Sequence, residues 1–290
     1  LFVTMQTVTG AQATLARGDS LKAQGRLDEA IVRYREFANR EPAYFDGQRK
    51  LAAALLEAGK PTDAVPALRR AVDLRVDIVR AQLDAVFDDL DVAAAKTGML
   101  SSEAIIDTVA DALEARHFET LVVDPVMVSK SGFRLLKDDA IEALMRRLVP
   151  RALVVTPNLH EAALLAGFSI ASLDDMKRAA ERIGERGAKA VVVKGGHAHF
   201  ALAVDILWAR DGTLEALHPE GDVTERSVHG TGCTFSAAIA ARLALGEPVD
   251  TAVRNAKRYI TRVIRHAFEP GRGHAVGDAF YFLGKDDWES

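Results

Sequence analysis

The chain has 290 residues, and its 37 Lys+Arg against 41 Asp+Glu leave a formal net charge of −4, with no basic excess for a nucleic-acid partner and no acidic run for a disordered tail. Apolar residues at 49%, charged residues at 27% and a single cysteine describe a globular chain of one large or two modest domains, without an internal disulfide or a multi-cysteine zinc site. No apolar run reaches the roughly 18–20 residues that span a bilayer and no secretory signal opens the chain, so a cytoplasmic α/β protein with no membrane partner is expected. Leu1 rather than Met stands first, which leaves open that the natural start is missing.

In chain order, the first signal is a repeat. Gly18 and Ala52, Leu21 and Leu55, Gly25 and Gly59, Ala30 and Ala64, Ile31 and Val65, and Tyr34 and Leu68 are each 34 positions apart. Each unit is predicted as helix, glycine turn, helix. The small residues let paired helices approach, and the larger apolar ones fill the groove between them. Over residues 11–77 this pattern resembles the tetratricopeptide repeat, whose period is ~34 residues. Val76 stands where the first unit has Pro42. An ordinary pair of amphipathic hairpins is the alternative. Two such units bury little surface, so the segment is expected to pack on the rest of the chain.

From about residue 78 the pattern changes. IVRAQLDAVFDDL reads as an amphipathic helix with Ile78, Leu83, Val86 and Leu90 on one face. DVAAAKTGML reads as a short strand running into a loop at Thr97-Gly98, and EAIIDTVADALEAR as a helix. TLVVDPVMV is a buried strand that Pro125 stops just after Asp124. DDAIEALMRRLVP is a helix, ALVVTPN a strand ended by Pro157, and LHEAALLAG and LDDMKRAAERIGERG are helices. AKAVVVKGG is a strand reaching a glycine pair, and ALAVDILWARDGTLEALHPE a hairpin turning at Asp211-Gly212. HGTGC then opens the helix TFSAAIAARLALG, and DTAVRNAKRYITRVIRHAF follows. Strands alternating with helices predict a parallel sheet covered on both faces, with ligands at the carboxyl ends of its strands.

The residues with chemistry fall at those ends. Gly230 and Gly232 permit a tight turn, and the amide groups opening the next helix form an anion hole. Cys233 lies in that first turn, where a helix start favours a thiolate that acts as base or nucleophile; a buried structural cysteine is equally consistent. Asp124 could hold Mg²⁺ directly or through water, or be a plain loop carboxylate. Asn158 and Glu161 have the spacing of a helix cap, and Glu161 could also reach the metal. Lys194, between VVV and two glycines, could meet a phosphate, although the chain has no GxxxxGK[ST] motif. A solvated loop lysine is the alternative. His197 and His229 adjoin glycine turns as candidate bases or zinc ligands, but with one cysteine and no HExxH a zinc site is not expected.

Taken in order, KTGML, VVDPVMVSKSG, LVVTPNLHEAALLAG, AVVVKGGH and HGTGCTFSAAIAARLALG resemble the hydroxymethylpyrimidine/phosphomethylpyrimidine kinases of thiamine biosynthesis, in the ribokinase-like superfamily. The likeness runs from about Val79 to about Gly277, and DPVM with KSG, TPN-x-x-E, KGGH and HGTGC are together specific to that family. The resemblance implies a ribokinase-like, mostly parallel sheet over residues 78–290, with ATP and Mg²⁺ as cofactors and a small pyrimidine as acceptor. It makes Cys233 the base near the hydroxymethyl or phosphate group, and Gly230, Thr231 and Gly232 the anion hole for the transferred phosphoryl. Asp124 and Glu161 would organise Mg²⁺, and Asn158, Lys194 and Thr231 would serve the nucleotide. Met99 would lie near the pyrimidine. Pyridoxal kinases share this fold but usually carry Asp at the position of Cys233.

The family's glycine-rich opening segment is not found. TVTGAQAT at residues 7–14 aligns loosely with the strand expected next, which makes residues 1–14 a residual kinase strand and Gln12 a candidate for the pyrimidine. The helical repeats then replace a short connection. Fragment, fusion and degenerate paralogue all remain open. The leading functional reading is a kinase for 4-amino-5-hydroxymethyl-2-methylpyrimidine and its monophosphate. The second is an impaired kinase-like scaffold whose repeats bind a protein partner. The third and weakest is a cysteine hydrolase using Cys233 with His229. A homodimer is left open.

Overall fold

The structure, a computed structural model, describes residues 2–41, 44–72, 76–127, 135–196, 202–221, 228–271 and 274–283. Pro42, the KSG of residues 130–132 and His197 lie outside them. The chain divides into two compact units, Leu1–Val79 and Arg80–Ser290.

The first unit is helical: α1 (Phe2–Ala23), α2 (Leu27–Arg40), α3 (Phe45–Glu57) and α4 (Pro61–Val72). The strand expected over residues 7–14 is absent. Those residues lie inside α1, and Gln12 is an exposed position on it. The alignment that selected Gln12 therefore has no strand beneath it: TVTGAQATLARGDSLKA lacks β-strand alternation and continues as one helix. The repeat register is visible in the turns. Gly25 has φ +75 and Gly59 φ +69. Arg26 N–H donates to Leu21 O and Gly25 N–H to Lys22 O; 34 residues on, Lys60 N–H donates to Leu55 O and Gly59 N–H to Leu56 O. Both are Schellman endings that only a residue tolerant of positive φ closes cheaply. Ala30 and Ala64 are fully buried alike, but Ile31 and Tyr34 are buried whereas Val65 and Leu68 are exposed. The unit has its own core, in which Tyr34 and Phe37 are the largest side chains.

The second unit begins within α5 (Val76–Asp89) and continues through β1 (Ala95–Thr97), α6 (Glu103–Glu114), β2 (Leu121–Val123), α7 (Asp138–Ala143), β3 (Val154–Val155), α8 (Leu159–Ala166), α9 (Leu173–Gly184), β4 (Ala190–Val193), β5 (Asp205–Ala209), β6 (Leu214–Leu217), β7 (Val228–His229), α10 (Thr231–Ala244), α11 (Val249–Arg265) and β8 (Ala275–Val276). The strands β1 to β6 form one sheet in sequence order. β1 to β4 are parallel, with Thr97 opposite Val123, Val123 opposite Val155 and Val155 opposite Val191. β5 and β6 add an antiparallel hairpin. β2, β3 and β4 are near-continuous buried valine because helices cover both faces. On one face, Val122, Val154, Ala190 and Val192 pack with Phe235 and Ile239 of α10 and Val253, Ala256 and Ile260 of α11. On the other, α9 crosses β4 and β5. A short parallel pair, β7 with β8, was not legible as strands in the sequence.

The apolar face expected for α5 is revised. Ile78, Val86 and Leu90 are exposed, whereas Leu83 of the expected face is half-buried, together with Val79, Arg80, Asp84 and Phe87. Phe87 meets Phe118 edge-on at 5.4 Å, and Arg116 both lies over its ring and pairs with Asp84 at 2.8 Å. Aromatic contact and charge pairing together rotate the helix away from the face that hydrophobicity alone selects. Among the described residues no helix is long and apolar enough to cross a membrane.

Close approach of α9 to the sheet depends on Gly184: a Cβ there would stand 2.1 Å from the Trp208 ring. Gly184→Ala is expected to destabilise the unit by about 1–3 kcal/mol through overpacking. A urea titration followed by tryptophan fluorescence tests this, and an unchanged midpoint would show that the ring can yield.

Candidate active site

The parallel register gathers four strand ends on one side of the sheet, and each delivers a polar residue. Lys96 comes from β1, Asp124 follows β2, Thr156 follows β3 and Lys194 follows β4. Asp124, only 1% exposed, is the hub. Lys194 Nζ lies 2.9 Å from its Oδ1 and Lys96 Nζ 3.6 Å from its Oδ2. Thr156 Oγ1 approaches Oδ1 at 3.4 Å, and Ser236 Oγ donates to Oδ2 at 3.0 Å. A carboxylate withdrawn from water requires such compensation.

Ser236 ties this hub to α10. Its hydroxyl also lies 3.2 Å from Gly232 O and 3.0 Å from Cys233 O, so the helix start is held over Asp124. Gly230 adopts φ +79 at the cap position, no side chain caps α10, and its first turn carries no acidic residue. The amides of the opening turn thus present partial positive charge outward. Lys194 adds a full charge at the same place: a Cβ on Gly232 would stand 3.3 Å from its Nζ. Ammonium and helix start together make a site for an anion. Thr231 is half-buried beside it, and Cys233 is exposed. Among the described residues Cys233 has no hydrogen bond to a histidine; His229 instead stacks on His274 at 6.3 Å. The hydrolase reading therefore has no base in place.

Asn158 and Glu161 form a complete capping box at the start of α8. Asn158 N–H donates to Glu161 Oε2 at 2.8 Å, and Glu161 N–H to Asn158 Oδ1 at 3.0 Å. The plain capping role is thus real, and it also fixes Glu161 beside the hub. Burial pushes the Glu161 carboxyl above its ordinary range, with Asp124 adding to the effect and Lys194 and the backbone hydrogen bond from Asn158 opposing it. Met99 is exposed on the loop after β1. Gln12 belongs to the other unit. Among the described residues no group of three His, Cys, Asp or Glu side chains forms a ready metal site. Both Asp124 oxygens are engaged in this arrangement, Oδ1 by Lys194 and Oδ2 by Ser236.

Lys96 and Ser236 carry no role in the sequence reading, and Thr156 is marked there only as lying at a strand end; the tertiary structure shows that the three converge on Asp124. A groove of about 740 Å³ lies elsewhere, on the outer faces of α10 and α11, lined by Arg242, Arg258, Tyr259 and Arg262 among others. Its arginines face acidic groups, Arg242 with Glu247 and Arg262 with Glu220.

A family profile described as "Phosphomethylpyrimidine kinase" matches residues 65–278. The chain belongs to that family. This kinase is 49% identical over 217 residues to the hydroxymethylpyrimidine/phosphomethylpyrimidine kinase of Rhizobium meliloti (strain 1021), covering 74% of this chain and 80% of that one. It is 43% identical over 199 residues to the Haemophilus influenzae protein of the same name, covering 68% and 74%. Among solved structures, phosphomethylpyrimidine kinase from Clostridium difficile 630 shares 42% identity with a TM-score of 0.57, over 65% of this chain and 76% of that one. An ADP complex of Bacillus subtilis pyridoxal kinase shares 37% identity with a TM-score of 0.65, over 71% and 76%. The ribokinase-like fold of the kinase unit follows from both.

The raised Glu161 pKa gives a stability test. The folded state binds its proton more tightly than the unfolded chain, so this group's contribution falls as pH rises from the ordinary glutamate range through the folded pKa. Glu161→Gln keeps an oxygen for Asn158 N–H and removes the buried charge. It is expected to melt above wild type at pH 7, with the gap closing towards pH 4. Melting curves at pH 4, 5.5 and 7 decide the matter, and a gap that widens on acidification would contradict it.

Proposed function

We infer that the second unit carries out its family's reaction, the ATP-dependent phosphorylation of 4-amino-5-hydroxymethyl-2-methylpyrimidine and its monophosphate in thiamine biosynthesis. The observation that carries this reading is the Lys194 ammonium, which spans Asp124 and the uncapped start of α10. Phosphoryl transfer requires little covalent chemistry from the protein but much charge neutralisation and alignment. In this assignment the amides of Thr231, Gly232 and Cys233 receive the transferred phosphoryl, and Lys194 lies along the nucleotide phosphates. Cys233 is the base that takes the proton of the acceptor hydroxyl. Met99 borders the pyrimidine on the β1 side.

Mg²⁺ belongs to the same proposal. The donor set fits an ion carried in on the nucleotide: Glu161 is buried, burial disfavours its charged form, and a cation beside it would favour that form. Asn158 holds Glu161 in place through the capping box. When bound, the ion would neutralise the nucleotide's phosphate charge. We assign the two hairpins of the first unit to the tetratricopeptide type and give them a protein partner. The support is the repeated Schellman turn and the exposed Val65 and Leu68, on the face that another hairpin of an array would cover.

Release of ADP by the full chain with Mg-ATP is expected to depend on the pyrimidine and to exceed that with pyridoxal. Turnover with pyridoxal alone would overturn the acceptor assignment. Cys233→Ala should lower kcat by about two orders of magnitude, as for loss of a general base, while the melting temperature stays put. Full turnover in that variant would remove the thiol from the reaction.

A further inference from the structure

A second buried ion pair lies behind the Lys194 turn, and none of the roles above uses it. Asp205 opens β5 and Lys257 sits midway along α11; they are 5% and 7% exposed. Lys257 Nζ donates to Asp205 Oδ2 at 2.6 Å and also to the carbonyl of Ala203. The other carboxylate oxygen, Oδ1, accepts from Gly195 N–H at 2.9 Å. Ala203 N–H in turn donates to Gly196 O at 2.8 Å. One lysine thus reaches both residues that hold the Lys194-Gly195-Gly196 turn.

The backbone around this network is constrained. Ala203 stands at φ +54 and Gly196 at φ +53. An alanine holds that conformation only where its surroundings impose it, and here its carbonyl is tied to Lys257 and its amide to Gly196. Packing alone gives no reason for the pair, because an apolar pair of similar volume would join α11 to β5 at least as well. What charge adds is direction. Asp205 must turn one oxygen to Lys257, which leaves the other aimed at Gly195. Anchoring Gly195 N–H fixes the chain at the residue next to Lys194, whose ammonium has to meet both Asp124 and the start of α10.

We propose that the Asp205–Lys257 pair is a positioning device for phosphoryl transfer, holding the Lys194-Gly195-Gly196 turn so that Lys194 meets the nucleotide phosphates. This rests on the reading of Lys194 as a phosphate-binding residue. The pair acts on ATP through that turn and touches neither the acceptor nor the reacting atoms.

Two uncharged double variants of the full chain separate positioning from packing. Asp205→Asn/Lys257→Met keeps an oxygen for Gly195 N–H, and Asp205→Leu/Lys257→Met does not. The Leu/Met variant is expected to show an ATP KM about 10- to 100-fold above the Asn/Met variant, the scale of a small misplacement of a binding group. The pyrimidine KM should agree between them. Equal ATP KM values in the two, or ATP and pyrimidine KM rising together, would overturn the proposal. Should the Leu/Met variant not fold, Asp205→Asn alone gives the same test, since Lys257 then claims the only side-chain oxygen and ATP KM should rise as before; an unchanged value counts against positioning. Lys194→Met is the reference. If it leaves ATP KM unchanged, the phosphate-binding reading itself fails; if it raises ATP KM while the Leu/Met variant does not, only the positioning role fails.

Discussion

The carboxylate of Asp124 is buried at the carboxyl end of β2, and it must be answered by positive charge and hydrogen bonds supplied from elsewhere in the chain. Lys96 arrives from β1, Thr156 from β3, Lys194 from β4 and Ser236 from α10. These residues span more than a hundred positions of sequence, so satisfying one carboxylate holds the site's elements in mutual register. The arrangement leaves the Lys194 ammonium at the opening turn of α10, where charge and backbone amides together suit an anion.

Polarity across the sheet follows from strand order. Met99 and Lys96 lie at β1, on one side of Asp124. Asn158, Glu161 and Lys194 lie at β3 and β4, on the other. A kinase has to keep acceptor and nucleotide apart until the phosphoryl group is aligned between them. Parallel strands β1 to β4, with the start of α10 tied to Asp124 through Ser236, would achieve this with rigid elements. At Glu161 the capping box that starts α8 also holds a carboxylate whose charged form burial disfavours, against the pull of Lys194.

The helical unit obeys different physics. Its period comes from two glycines at positive φ, each closing a helix with the same pair of backbone hydrogen bonds. Ala30 and Ala64 allow the close helix contacts, and a phenylalanine and a tyrosine fill the core of the first hairpin. The equivalence breaks at Val65 and Leu68, which are exposed where Ile31 and Tyr34 are buried.

The sequence by itself determined the class of fold, the kinase motifs and the 34-residue register, since hydrophobic period, glycine turns and strand-stopping prolines are local properties. Asp124, Asn158, Glu161, Lys194 and the 230–233 loop were legible for the same reason: each adjoins a strand or helix end that its neighbours announce. Residues 7–14 misled because a loose alignment outweighed the absence of strand alternation, and the chain there is helix. On α5, periodicity selected Val86 and Leu90, whereas Phe118 and Arg116 drew Phe87 and Asp84 inward from thirty residues away. That Asp124 meets two lysines, and that Asp205 and Lys257 form a pair, depends on which strands and helices lie side by side. Asp124 and Lys194 are 70 residues apart and Asp205 and Lys257 52 residues apart, and no local pattern encodes such distances. Only the tertiary structure decided them, because a buried charge is defined by what is brought to it.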